Sequence, residues 1–510
     1  MTDLSLRDLS LRIRPGVATR ERPIASGVLF YLSLFDDEID DRLGRFLEAL
    51  AANSETVSQA ATYLELTDAI VVQTRSQVTA VIRGGACTVP LFWKREGSRF
   101  HLATSLPLSG TVRFSRQGFA SALASVSLHG SYEPNACTET PLEGWRRLRR
   151  GIISTFNQGL LHEQSVPDIA TSDSMPQPDA IAKNIQNAFD AFRDSQRHIA
   201  SSILELSGGF DSTLAGTAAA RLGHVMHGVS VEFPYYEFRF EAPLQEAVAS
   251  ALSIERTALD GTGMFPYAPW QHPPRFDEPS VFVTGIRHAE CVAEFAASKC
   301  ATRIYVGHGG DQLFATDLTI DEALSPKTLS FAALSGEFRR AVKRSIHLIR
   351  RPQWRHRSSA CFVYDARQDV WVKETFGATI RTPFTDTEVF RAAQQWSRYS
   401  QALDIRPDKT ILAHALASLL PEAVRKRRGK VAYDGVWMRA YAVHADHIEA
   451  TIERTASVLA WIGISPKWLT RRVRQLASWQ EVTDREILGA YAISVWLLSW
   501  DLENGKDTCQ

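Results

Sequence analysis

The stretch Ser207-Gly-Gly-Phe-Asp-Ser212 combines residue types that bind anions with one that repels them. Gly208 and Gly209 let a backbone come close to a ligand and take dihedrals closed to other residues. Ser207 and Ser212 add hydroxyl donors. A strand, a Gly-Gly loop and a helix N-terminus in that order make a phosphate site, because first-turn amides and the helix dipole favour negative charge. A carboxylate in such a cradle repels the ligand unless a cation lies between them, so Asp211 reads as a Mg2+ ligand. The competing reading is an ordinary helix N-cap in which Ser207 or Asp211 satisfies free amides. No Gly-Lys-Ser/Thr follows, and the stretch is not a Gly-x-Gly-x-x-Gly dinucleotide loop.

Such a loop needs a buried strand before it and a helix after it. The run Ile199 to Leu206 reads as that strand and the Ala-rich Thr213 to Leu222 as that helix. Val225 to Glu232 follows as a second, parallel strand, since the helix supplies a crossover of the right length. Ligands of open sheets bind beyond the carboxyl ends of the strands, which makes Val231 and its neighbours face the nucleotide. Tyr235, Tyr236 and Phe238 line a substrate mouth or pack under a loop. Thr284 to Cys300 reads as an amphipathic helix, and Arg303 to Val306 as a short strand ending in Gly307-His-Gly-Gly-Asp311. The apolar run Ile487 to Trp500 suits a buried core helix.

Earlier in the chain, short strand-like runs at Ala69–Gln73, Val78–Arg83, Thr88–Trp93 and His101–Ala103 describe a small sheet-rich domain. Trp145 to Ile153, rich in arginine, reads as a solvated face. Ser165 to Pro178 shifts to Pro, Ser, Asp and Gln, a linker composition. The expected division is therefore a first domain at 1–164, a linker at 165–178 and a second domain at 179–510, which opens with a helix from Asp179 to about Arg197.

At 510 residues the chain exceeds one ordinary core. Its 57 basic residues balance 57 acidic ones, which argues against a nucleic-acid partner. The basic run Arg339 to Arg357 then fits a solvated helix face or a clamp for an acidic peptide. No apolar run spans a bilayer and no leader opens the chain, so no membrane association and a cytoplasmic location are expected. Six scattered cysteines suggest neither zinc site nor disulfides, and buried free thiols are expected.

The Ser207–Ser212 loop resembles the pyrophosphate loop of the ATP pyrophosphatase superfamily, whose members cut ATP into AMP and pyrophosphate. The second loop, Gly307-His-Gly-Gly-Asp311, is similar to the Gly-x-Gly-x-Asp of asparagine synthetases and beta-lactam synthetases. That resemblance implies Asp311 as second Mg2+ ligand, Gly307 among the nucleotide-binding positions and Val231 as a backbone contact to adenine. It also puts His308 at the reacting centre. A histidine is neutral near pH 7 and can take a proton from an attacking amine. Arg381-Thr-Pro-Phe-Thr-Asp386 and the helix from Lys409 to Leu420-Pro-Glu match further elements of asparagine synthetases. Arg425-Lys-Arg-Arg-Gly-Lys430 resembles their lysine loop, with Lys430 as the expected catalytic lysine and Lys426 as the alternative.

Val81 to Trp93, with the Phe100-His-Leu-Ala-Thr-Ser segment after it, resembles the N-terminal glutaminase domain of asparagine synthetases. The implied fold class is α/β: a parallel-sheet ATP pyrophosphatase domain preceded by a degenerate glutaminase-like αββα domain. A glutaminase of that type uses a cysteine exposed as residue 1, whereas Thr2 follows Met1 here. A threonine nucleophile would need a short strand after it, and Asp3 to Asp8 reads as lacking one. The first domain is thus expected to release no ammonia.

Gly-His-Gly-Gly-Asp without an N-terminal cysteine is most similar to lasso-peptide macrolactam synthetases. The resemblance implies an ATP- and Mg2+-dependent enzyme that adenylates an Asp or Glu side chain of a precursor core peptide. The peptide's own α-amine then closes the ring. A leader peptidase and a leader-binding protein are the partners it implies. The alternatives are a beta-lactam-synthetase-like or ammonia-dependent asparagine-synthetase-like ligase on a small acid, a tRNA-modifying ligase, and a non-catalytic scaffold.

Overall fold

The computed structural model describes residues 2–502 apart from 7–8, 25–26, 53–59, 66, 75–78, 86, 109–111, 128–136, 158–159, 167–176, 221–223, 234–240, 315–330, 350–366, 406–408, 428–433 and 480–483. The first part of the chain forms β1 (Thr2–Leu6), β2 (Leu9–Ile13), β3 (Ala18–Ile24), β4 (Gly27–Ser33), β5 (Ala69–Thr74), β6 (Thr79–Arg83), β7 (Phe92–Glu96), β8 (Arg99–Ala103), β9 (Trp145–Arg147), β10 (Ile152–Asn157) and β11 (Leu160–Ser165). They build a five-stranded sheet, β1-β2-β8-β7-β9, and a six-stranded one, β11-β10-β6-β5-β4-β3. Because side chains alternate along a strand, the inner strands β4, β5, β6 and β10 of the six-stranded sheet each serve two cores. Phe30, Val71, Val81 and Phe156 meet Leu11, Phe100 and Leu102 of the other sheet. Leu29, Tyr31, Ile70 and Val72 pack instead on Leu43, Phe46 and Leu50 of the helix Ile39–Ala52.

Three expectations for this part are corrected. Thr2–Leu6 does form a strand, paired antiparallel with Leu9–Ile13. The sequence alternates Leu4, Leu6 and then Leu9, Leu11, Ile13 with polar residues, a period-two pattern that the interspersed charges obscured. The strand expected from Thr88 begins only at Phe92. Pro90 cannot donate to a ladder, and the Val89 carbonyl accepts instead from the Arg83 guanidinium. The arginine-rich stretch is not a solvated face, since Arg147 and Arg150 are 7% and 1% exposed. Of the cysteines, Cys87 and Cys137 are buried free thiols, but Cys300 is exposed.

The second part holds β12 (Ser201–Glu205), β13 (Val225–Glu232), β14 (Glu255–Asp260), β15 (Arg303–Tyr305) and β16 (Thr379–Arg381), in the order β14-β13-β12-β15-β16. Every neighbouring pair is parallel. Parallel sheets are covered on both faces, which explains the apolar strands. Ile203, Val229 and Ile304 point into one core with Ile286 and Val292 of the helix Ile286–Ser298. Leu204, Met226 and Tyr305 point into the other, with Ile185 of the helix Pro178–Ser195, Leu214 of Phe210–Ala219 and Val248 of Glu241–Leu252. The helix Arg485–Ser499 is buried except at Arg485 and Leu488. No described helix is long and apolar enough to cross a membrane.

Buried ion pairs join the two parts. Arg14 reaches Asp277 at 2.5 Å and Arg147 reaches Glu278 at 2.7 Å, which accounts for two carboxylates in the turn before the helix Ile286–Ser298.

Candidate functional site

From β12 the chain moves outward to β13 and β14, whereas β15 and β16 add on the opposite side. The strand order therefore reverses between β12 and β15, and the loops leaving their carboxyl ends diverge around a crevice. Ser207–Ser212 follows one of these strands and Gly307–Asp311 the other.

In the first loop, Gly208 has φ +73°, a conformation that L side chains rarely adopt. Gly209 does not need that freedom, with φ −82° and ψ 166°, and it serves as N-cap of the helix Phe210–Ala219. An added Cβ there would stand 3.1 Å from Ser207 Oγ, close enough that this hydroxyl would have to shift. The Gly209 amide donates to Ser207 Oγ at 3.2 Å, the Ser207 and Ser212 hydroxyls lie 2.9 Å apart, and Ser212 Oγ donates to the Gly209 carbonyl at 3.1 Å. The loop is thus closed on itself with its helix N-terminus facing the crevice, an arrangement suited to an anion.

The second loop is pressed against the first. A Cβ on Gly307 would meet the Ser212 amide nitrogen at 2.5 Å, and one on Gly310 would meet Asp211 Cγ at 2.4 Å. These glycines are required by the close approach of two loops, and that approach brings Asp211 toward Asp311. Both carboxylates converge on one cation: Lys409 Nζ lies 2.5 Å from Asp211 Oδ2 and 2.5 Å from Asp311 Oδ1. Two oxygen donors aimed at a single positive centre fit Mg2+, which takes few protein carboxylates and completes its shell with water and phosphate oxygens. Among the described residues no group of three or more His, Cys, Asp or Glu could hold a metal, so an all-protein cage is not what this site offers. Lys409 stands just before the helix Thr410–Ala415. Sequence reasoning passed over it, because a lysine opening a short helix has no local mark; only its alignment with a family helix hinted at it.

His308 is exposed in the second loop, its carbonyl accepting from Thr382 Oγ1 at 2.8 Å. Burial in the surrounding protein pulls the imidazole below its ordinary pKa; Glu205 opposes this and His288 adds to it. The residue as a whole is exposed, which weakens that desolvation and leaves only the downward direction. Glu205 ends β12 and accepts from or pairs with His288 Nε2 at 2.8 Å. Burial disfavours the Glu205 carboxylate, but the charge and hydrogen bond of His288, with His308, hold it at about 2. Burial likewise opposes protonation of His288, and Glu205 more than offsets it, raising the imidazole above its usual range. A fixed Glu–His ion pair therefore stands beside a histidine kept neutral, able to accept a proton.

Val231 lies near the end of β13 with its side chain packed against the core. Lys430, Tyr235, Tyr236 and Phe238 lie outside the described residues. Lys426 is exposed and paired with Glu422 at 2.5 Å. Arg427 was not singled out from sequence, yet its Nη1 donates to the Gly208 carbonyl at 3.1 Å and to Glu241 at 2.8 Å, clamping the first loop.

A glycine-rich anion loop and a converging carboxylate pair at the switch point of a parallel sheet suit an enzyme that handles phosphate anhydrides. The asparagine synthase family matches residues 201–374 and 372–498, more than half of the chain, and the chain belongs to that family. It is an ATP-dependent, asparagine-synthetase-like amide ligase. Among solved structures, an NAD+ synthetase from Burkholderia pseudomallei is similar at 16% identity over 40% of this chain and 92% of its own, with a TM-score of 0.18, an overlap that carries no argument. Comparison with curated proteins gives no match.

Proposed function

We propose that this ligase is a lasso-peptide macrolactam synthetase. It activates an Asp or Glu side chain of a precursor core peptide and joins it to the peptide's own N-terminal amine. The observation that carries the reading is His308: open to solvent, kept below its usual pKa, and three residues from a carboxylate of the converging pair.

In the first step an oxygen of the acceptor carboxylate attacks the α-phosphorus of ATP, and the bond from that phosphorus to the bridging oxygen breaks. The Ser207–Ser212 loop and its helix N-terminus bind the departing pyrophosphate. Asp211 and Asp311 would hold Mg2+, which when bound neutralises charge developing on the phosphates. Lys409, drawn to both carboxylates, supplies further positive charge, and Lys430 is proposed to do so from its own loop. In the second step the neutral α-amine attacks the acyl carbon, AMP leaves with the electron pair of the broken C–O bond, and His308 takes the amine proton. Keeping His308 neutral is therefore a requirement of the second step.

The N-terminal sandwich is proposed to be a degenerate glutaminase-like domain that releases no ammonia. Its Cys87 thiol is buried and pushed up by that burial, the opposite of a nucleophile's environment. A leader peptidase and a leader-binding protein are expected to prepare the peptide. The test is incubation with ATP, Mg2+ and an acidic-residue peptide with a free N-terminus, read by mass spectrometry. AMP together with a peptide lighter by one water is expected; amidation of a small acid with no change in the peptide would favour the small-substrate ligases.

A further inference from the structure

Glu38 stands in the N-terminal part, just before the helix Ile39–Ala52, yet its carboxylate is buried against the end of the parallel sheet. It accepts from Arg42 Nε at 3.0 Å, from Arg303 Nη2 at 3.3 Å and from Gln196 Nε2 at 3.3 Å, and Arg381 Nη2 lies 3.6 Å away. Phe35 sits beneath the same three guanidinium groups, at 4.7, 5.2 and 4.6 Å from its ring centre. Asp68 also pairs with Arg42, Asp37 with Arg303 and Asp386 with Arg381. The carboxylate that touches all three arginines is Glu38.

Two of those arginines frame the reacting loop. Arg303 opens β15, the strand that runs into Gly307–Asp311, and Arg381 closes β16. The next residue, Thr382, donates its hydroxyl to the His308 carbonyl at 2.8 Å. The first loop hangs instead on β12 and the helix Phe210–Ala219 and meets the second at Gly307 and Gly310, while Asp311 is held apart from Thr382 by the short helix Gly310–Phe314 and by Lys409.

We infer that Glu38 is a positioning residue for amine capture: through Arg381 and Thr382 it fixes the His308 loop, so that the N-terminal sandwich is needed for amide formation more than for ATP cleavage. The inference rests on the proposed role of His308. Its test uses the full chain and two rates, acceptor-dependent ATP–pyrophosphate exchange for the first step and amide product for the whole reaction. Glu38→Gln, checked for folding by thermal unfolding, should keep exchange and the KM for ATP. Its kcat for product should fall by about tenfold to a hundredfold, the usual effect of a misplaced group. Glu38→Asp should recover part of it. If Glu38→Gln does not fold, Thr382→Val cuts the last link, together with the bond that Thr382 Oγ1 accepts from the Phe384 amide, and should show the same split in a folded protein. Equal losses of both rates, or no loss of either, overturn the inference. Absence of exchange in the unsubstituted enzyme would instead overturn the proposed reaction.

Discussion

Lys409 Nζ lies 2.5 Å from Asp211 Oδ2, although the two residues are 198 positions apart in the chain. The same ammonium reaches Asp311, so it competes for the carboxylates that would bind Mg2+ while supplying charge of its own. Lys409→Met is expected to reduce turnover by about a hundredfold, the scale for losing one charge-stabilising group. It should also lower the Mg2+ concentration giving half-maximal rate, since a competing cation is gone. A Mg2+ titration of both proteins checks the two effects together.

Gly310 is predicted to be intolerant for a local reason. The methyl of Gly310→Ala would overlap Asp211 Cγ, and Asp211 would have to leave the converging pair. Exchange activity should fall by about as much as in Asp211→Asn, on the order of a hundredfold or more, with thermal stability nearly unchanged. Gly377→Ala is a poor control because its φ is +76°; Gly285→Ala, which meets nothing within 4 Å, is a good one.

The pH profile carries signs that can be assigned beforehand. His308 is lowered, so its base form persists to below the ordinary histidine range, and product formation should fall only as pH drops through that lowered value. His288→Gln removes a cation that contributes to the lowering, and the acidic limb should move to higher pH. Glu205→Gln removes the opposing anion, and the limb should move to lower pH. His308→Gln should abolish the limb. The Glu205–His288 pair also stabilises the fold: the His288 part is fully present below about pH 6.5 and is lost as pH rises through its raised value. The Glu205 part is present above about pH 4.5 and lost as pH falls toward about 2.

At the junction of the two parts, Arg14 holds Asp277 and Glu374 with almost no exposure of the first pair. Burial pushes Asp277 up to about 6 even against the pull of Arg14. Arg14→Met leaves that carboxyl buried without its partner, which should cost about 3–5 kcal/mol in urea unfolding. Asp277 escapes the penalty by taking up a proton, so the deficit should be larger at about pH 8 than at about pH 5.

The core of the site was readable because its parts are local. Ser207–Ser212 and Gly307–Asp311 each announce themselves within six residues, and apolar runs such as Val225–Glu232 mark the buried parallel strands around them. What escaped notice depends on contacts between distant residues. Lys409 matters only because its helix end faces both aspartates, and Arg427 because it reaches the Gly208 carbonyl. Glu38 and Arg147 look like surface charges in sequence; they are buried because each meets an opposite charge from the other part of the chain. The paired strands Thr2–Leu6 and Leu9–Ile13 were missed for a different reason, since apolar residues alternating with polar ones resemble a polar tail until β8 pairs with the second of the two.

The most direct measurement is one reaction containing the chain, ATP, Mg2+ and a peptide bearing a free amine and an Asp or Glu side chain, with nucleotide and peptide products quantified together. The account predicts AMP and pyrophosphate in equal amounts with a peptide lighter by one water, and neither product from Asp211→Asn or Asp311→Asn. Formation of ADP and phosphate, or full activity in either variant, would contradict it.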